Sequence, residues 1–211
     1  MLRALILLIA LAPPALAHPH VFIDASVTAT VDDQNRLTGF RIRWDYDDYV
    51  SLILATDKNA DLDGDGFLTD SELTPLQGFD MAWSDEFDGD TTLWQGDQPL
   101  ALQAGPLDWK TGWQDLHLWS EHGRQPLAAV DLTQGPVVIV IRDVTDYTAY
   151  TLAKVSLTSA PVGCEIKILT PEDEADCEGF GGLLGTLIFG SDEAAPAQIT
   201  ADQKVLISCD P

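Results

Sequence analysis

The chain has 211 residues, 45% of them hydrophobic and 21% charged, which is enough apolar content for one ordinary domain. The charge is lopsided: 34 Asp and Glu stand against 11 Lys and Arg, a net −23 at pH 7. That excludes nucleic-acid binding by phosphate neutralisation, disfavours an anionic membrane surface and favours cations as ligands.

From the N-terminus, Arg3 precedes an apolar run over residues 5–12, and Ala15-Leu16-Ala17 is a small-x-small cleavage site. Together they predict a secretory signal peptide over 1–17 and a single exported domain over 18–211. The apolar run is too short to span a bilayer as a mature helix, and no later segment is long enough. Cleavage after Ala17 would expose His18-Pro19-His20. The α-amine and the His18 imidazole can chelate one ion together, with His20 adding a third nitrogen. Such donors suit Ni2+, Zn2+, Co2+ or Cu2+. Pro19 has no amide proton, which rules out a square-planar site built on a deprotonated second-position amide.

Residues 21–30 alternate apolar and polar side chains, and 37–44 do so again after the turn signal Asp32-Asp33-Gln34-Asn35, which predicts a hairpin. Over 46–58 the period changes. Tyr49, Leu52, Ile53 and Thr56 are spaced as one helix face, with Asp45 or Asp47 as the cap. Residues 57–90 hold eleven acids and one base, Lys58. This block, with the helix before it, reads as an insertion over about 46–90. Short strands are then predicted over 91–94, 99–104, 115–119, 126–132, 136–142, 150–158, 164–169 and 205–209, and an apolar Gly-rich helix or packed loop over 179–190. The fold class expected is mainly β, an antiparallel sandwich-like arrangement with a helical EF-hand-like calcium-loop insertion, α+β overall.

The most specific motif is Asp61-Leu62-Asp63-Gly64-Asp65-Gly66-Phe67-Leu68-Thr69-Asp70-Ser71-Glu72, which fits D-x-[DN]-x-[DN]-G-x5-E at every fixed position. Ca2+ takes six to eight oxygens at roughly 2.3–2.6 Å. Asp61, Asp63 and Asp65 would supply carboxylates, Phe67 its carbonyl, Thr69 a direct or water-mediated contact and Glu72 two closing oxygens. Gly66 permits the sharp turn, and Leu68 would pin the loop to the fold. Pro75 falls early in the exiting helix, and no second loop of this kind is present; Asp85 to Asp90 lacks the spacing. A structural site therefore fits better than a switch.

No catalytic constellation stands out: there is no G-x-S-x-G, no H-E-x-x-H and no phosphate-cradling Gly loop. Asp47 and Asp48 could serve a metal-dependent hydrolase only if they met histidines in a pocket; helix capping is their ordinary role. Asp143, Asp146, Tyr147 and Tyr150 read as a strand-entry turn with packing tyrosines. His117 and His122 read as strand-face or loop residues. Three cysteines allow at most one intramolecular disulfide. Cys164 and Cys209, both in strand segments, are favoured over a bridge to Cys177 in its acidic, loop-like stretch.

His18-Pro19-His20-Val21-Phe22-Ile23-Asp24 after the leader, the Trp44-Asp45-Tyr46-Asp47-Asp48 stretch, the D-x-D-x-D-G segment at 61–66 and the late-strand cysteines Cys164 and Cys209 resemble a family of bacterial periplasmic proteins. That family is described as the periplasmic component of an uncharacterised transport system. Its genes lie beside nickel/cobalt-type permeases, and some members are linked to zinc. The resemblance implies a metal role at His18 and His20 and an integral-membrane metal permease as partner. The resulting expectation is a non-enzymatic periplasmic accessory of nickel, cobalt or zinc transport with a structural calcium site. The alternative is a calcium-stabilised cell-envelope interaction module with no transition-metal role.

Overall fold

The computed structural model describes residues 19–159, 161–170 and 203–210. The expected signal peptide, His18, Cys177 and the Gly-rich stretch at 179–190 lie outside them. Alternating side chains form β1 (Val21–Val31) and β2 (Arg36–Tyr46), antiparallel and joined through a turn in which Asn35 takes a left-handed φ of 57°. Asp32 closes that turn: its carboxylate accepts from the Gln34 and Arg36 amides and pairs with the Arg36 guanidinium.

α1 (Asp48–Asp57) follows, then the one-turn α2 (Asp70–Leu73) and a 3-10 turn at Thr74–Leu76. Pro75 sits at the start of that turn, where its missing amide proton costs nothing, so the exit helix stops after four residues. Strands resume as β3 (Thr91–Gln95), β4 (Gln98–Leu100), β5 (Leu107–Gln114), β6 (His117–Arg124), the two-residue β7 (Val130–Asp131), β8 (Val137–Ile141), β9 (Thr148–Ser159), β10 (Cys164–Leu169) and β11 (Lys204–Cys209).

These strands build two sheets. One runs β5-β6-β2-β1-β9, with β7 on the end of β2; the other runs β10-β11-β8-β3-β4. The mainly-β expectation holds. Its antiparallel part needs one correction, because β1 and β9 pair in parallel, Val21 opposite Thr148. The inner faces of the two sheets meet in one core. Ala25, Val27, Leu37, Phe40 and Ile42 come from the first sheet and Leu93, Val137, Ile139, Val205 and Ile207 from the second. Each fully buried Leu or Ile there contributes roughly 1.5–3 kcal/mol of transfer free energy. Cys164 and Cys209 lie directly opposite in the β10–β11 ladder and are joined by a disulfide.

The helical segment is held by a smaller cluster of Ala55, Ala60, Leu76 and Leu118, with Leu68, Leu73 and Trp113 packed on it. Here the expected helix face is inverted. Ser51 and Ala55 are the buried residues of α1, while Tyr49, Leu52 and Ile53 are exposed. The reason is polar: the buried Ser51 hydroxyl accepts the Leu118 amide proton at 2.9 Å, which fixes that side of the helix against β6. β5 escaped the sequence pattern altogether, because Asp108, Trp109 and Lys110 are all exposed and only Thr111 and Gly112 are buried. The strand expected at 115–119 starts later. Asp115 and Leu116 form the two-residue turn between β5 and β6, both with left-handed φ. Residues 126–132 give only β7 and one bridge, Leu102 to Pro126.

Candidate metal centre and the buried polar chamber beside it

The 61–72 segment curls so that oxygens of Asp61, Asp63 and Asp65 all lie within 4.8 Å of one another. The loop backbone holds them. Asp61 accepts from the Gly64 and Gly66 amides at 2.9 and 3.1 Å, Asp63 from Asp65 at 3.3 Å, and Asp65 from Phe67 at 2.8 Å. Gly64 and Gly66 take φ of 72° and 80°, and a Cβ on Gly66 would lie 2.8 Å from the Leu116 side chain. Trp113 Nε1 donates to the Gly66 carbonyl at 3.0 Å and ties the loop to β5.

Thr69 caps α2, with Glu72 completing a reciprocal capping box. The Thr69 amide donates to Glu72 Oε2 at 2.9 Å and the Thr69 hydroxyl to the same oxygen at 2.7 Å. The hydrogen bond from the Thr69 hydroxyl holds the Glu72 carboxyl below its ordinary range. Of the predicted ligands, then, the fold gathers three carboxylates, engages Glu72 at the neighbouring cap and leaves Phe67 exposed. The chemistry of this donor set is hard oxygen, suited to Ca2+.

Asp47 is the α1 cap. Its carboxylate accepts from Val50 at 2.9 Å and from Phe22, at the start of β1, at 3.0 Å. Asp48 meets the His117 imidazole across the mouth of the helix. Asp143 accepts from Thr145 and Thr148 as a strand-entry turn. Tyr150 donates to Asp90 at 2.7 Å, and burial pushes the Asp90 carboxyl up to about 6. His20 lies exposed at the head of β1, its amide donating to the Tyr147 carbonyl at 2.8 Å and its ring 5.2 Å from that of Tyr147.

A second polar site went unread in the sequence. Residues 78–90 fold back over the β2–β6 end of the first sheet and roof His122, which is fully buried between Trp44 (ring centroids 4.6 Å apart) and Trp83 (5.0 Å). Burial, aided by the positive charges of Arg124 and Arg41, pushes its pKa down to about 3. Asp80, on the roof, accepts from the Tyr46 hydroxyl at 2.7 Å and the Ser120 hydroxyl at 2.5 Å, and burial raises its carboxyl. Arg124 donates to the Gly105 and Asp88 carbonyls and lies over Trp83. Among the described residues, Trp44 Nε1, Asp80 Oδ1, both His122 nitrogens and Arg124 Nε are buried with no hydrogen-bond partner. The only sequence signal for this chamber was the polar run Ser120 to Arg124, and it lies on a strand whose extent the pattern did not show.

No helix among the described residues is long and apolar enough to cross a membrane. A search of curated proteins finds no match. A family model matches residues 3–186, a span that takes in the His-Pro-His segment, the acidic loop and the buried chamber. The chain therefore belongs to the family described as Protein of unknown function (DUF1007).

Proposed function

We propose that the protein is a non-enzymatic, extracytoplasmic metal-binding accessory of transition-metal transport, braced by a calcium ion in the 61–72 loop. The observation that carries the calcium assignment is the Asp61–Asp63–Asp65 trio. Its oxygens already converge, and its curl is set by backbone amides. Carboxylates this close repel one another in the absence of a cation, so a bound divalent ion relieves a stress built into the fold. The transition-metal part is supported by donor chemistry. His20 stands exposed at the head of β1, two residues after the His18 that cleavage would make the N-terminus. Ni2+, Zn2+, Co2+ and Cu2+ all suit those nitrogens, and an integral-membrane permease is the partner such a carrier would serve. The disulfide agrees with an oxidising compartment.

The test is calorimetric titration of the signal-cleaved protein with its native His18 terminus. Transition-metal binding that disappears in His18→Ala/His20→Ala supports the transport reading; equal binding by the variant overturns it. Calcium binding weakened in Glu72→Gln supports the brace. A second reading, a calcium-stabilised envelope interaction module, is favoured by the exposed apolar side chains of Leu52, Leu62 and Leu116 beside the loop. It predicts calcium binding alone.

A further inference from the structure

Between α1 and the β5–β6 turn runs a groove of about 720 Å³. Its apolar surface is Leu52, 64% exposed, Leu62, 78% exposed, and Leu116, 59% exposed, over a floor that includes Trp113. Asp48, Asp61 and Asp115 border it. Two features set it apart from scattered surface leucines. First, Leu52 of α1 lines it, and Tyr49 and Ile53 beside it stand in solvent instead of entering the core, so α1 presents large apolar side chains with no partner among the described residues. Second, Leu116 occupies the second position of a two-residue turn with φ 69°. Gly or Asn is the favoured residue there, and a large side chain is disfavoured. Leucine there gains nothing for the turn; its side chain packs against Gly66 of the loop and leaves apolar surface over the groove.

We propose that this groove docks an amphipathic segment of a partner protein, one that carries basic residues on either side of a short apolar stretch. Charge selects that occupant. Asp61 and Asp115 at the rim, with Asp48 shared by His117, stand on a chain of net charge −23, which repels a second copy of itself and an anionic lipid surface but attracts a cationic peptide. The groove also shares its wall with the loop. Asp61 belongs both to the carboxylate trio and to the groove, Leu62 follows it, and Gly66 touches both Leu116 and Trp113. Loading the loop would therefore set how far Leu62 stands from Leu116. That calcium dependence rests on the calcium reading above; the docking surface itself does not.

The experiment is fluorescence anisotropy with the signal-cleaved protein and three labelled helical peptides: Leu/Lys, Leu/Glu, and the Leu/Lys sequence with its leucines changed to serine. Each is measured with calcium and with a chelator. The expected result is binding of the Leu/Lys peptide, roughly tenfold weaker for the serine peptide and for a Leu52→Gln/Leu116→Asn protein, with none for Leu/Glu. Those substitutions suit an exposed helix site and a left-handed turn site, so circular dichroism should be unchanged. Equal affinity of the double variant, equal binding of the Leu/Glu peptide or no binding of the Leu/Lys peptide overturns the proposal. So does concentration-dependent dimerisation or anionic-vesicle binding that the double variant abolishes, since it assigns the groove to another occupant. Calcium heat without peptide binding removes the groove and leaves the brace. Peptide binding that ignores calcium, with no calcium heat, removes the brace and leaves the groove.

Discussion

The acidic block contributes to two polar sites built on opposite principles. In the 61–72 loop, three carboxylates sit at the surface, their geometry fixed by backbone amides, and their mutual repulsion is relieved by adding a cation. In the chamber a few residues further on, Asp80 and His122 are shielded by Trp44, Trp83 and Tyr46. Burial raises the carboxyl and lowers the imidazole, so both are driven towards neutrality. Solvent decides the difference: the same residue types concentrate charge where water and ions reach them and surrender it where they do not.

The largest effect that can break this contrast is removal of the roof. Trp83→Ala should cost about 3 kcal/mol in urea unfolding, because its ring packs on Trp44, Phe87, His122 and Arg124. Calcium affinity measured on the folded variant should change little. A large loss of affinity would show that loop and chamber are one unit.

Next comes acid. The folded pKa of His122, about 3, lies below its unfolded value near 6.5. The stability it contributes is therefore present above pH 6.5 and is lost as pH falls towards 3, about 2.7 kcal/mol by pH 4.5. His122→Phe should flatten that part of the stability curve. Asp90 works in the other direction: its raised pKa favours the fold below about 4, a benefit lost as pH rises through 6. Tyr150→Phe, which removes its partner, should sharpen that upper limb. A His122→Phe profile that superimposes on the wild type from pH 7 to 4 would sink the assignment.

Calcium comes third. At ten times its dissociation constant it should stabilise the protein by about 1.4 kcal/mol, raising the melting temperature. Glu72→Gln should shrink that shift while leaving the calcium-free melting temperature within a degree or so of the wild type. An undiminished shift would take Glu72 out of the site. The smallest effect expected is that of Thr69→Ala, about 1 kcal/mol or less, from loss of the capping hydroxyl. Helicity at α2 read by amide hydrogen exchange is the measurement that resolves it.

What was legible in the chain follows from how far apart the cooperating residues are. The hairpin of β1 and β2 and the loop motif each declare themselves over a short span, whereas the Cys164–Cys209 pair, 45 residues apart, is only favoured over a bridge to Cys177 by its strand-like surroundings. The orientation of α1 did not declare itself, because one buried hydroxyl, Ser51, outweighs the apolar spacing of Tyr49, Leu52 and Ile53. The chamber did not either. Trp44, Asp80 and His122 come from three separate stretches, and nothing local marks His122 as a residue that will lose its charge. β5 shows the same limit: an edge strand with most of its side chains in solvent carries no hydrophobic period to read.

The position of β1 in the first sheet has a consequence for assembly. On one side it meets β2 through a turn of a few residues; on the other it meets β9, with Val21 paired to Thr148. Closing the short loop is a microsecond event, whereas joining strands so far apart requires most of the chain to be present and loosely ordered first. The sheet should thus form in two tempos, an early hairpin and a late parallel seam. Until the seam closes, the hairpin carries an open edge, and the chain is most exposed to aggregation in that interval.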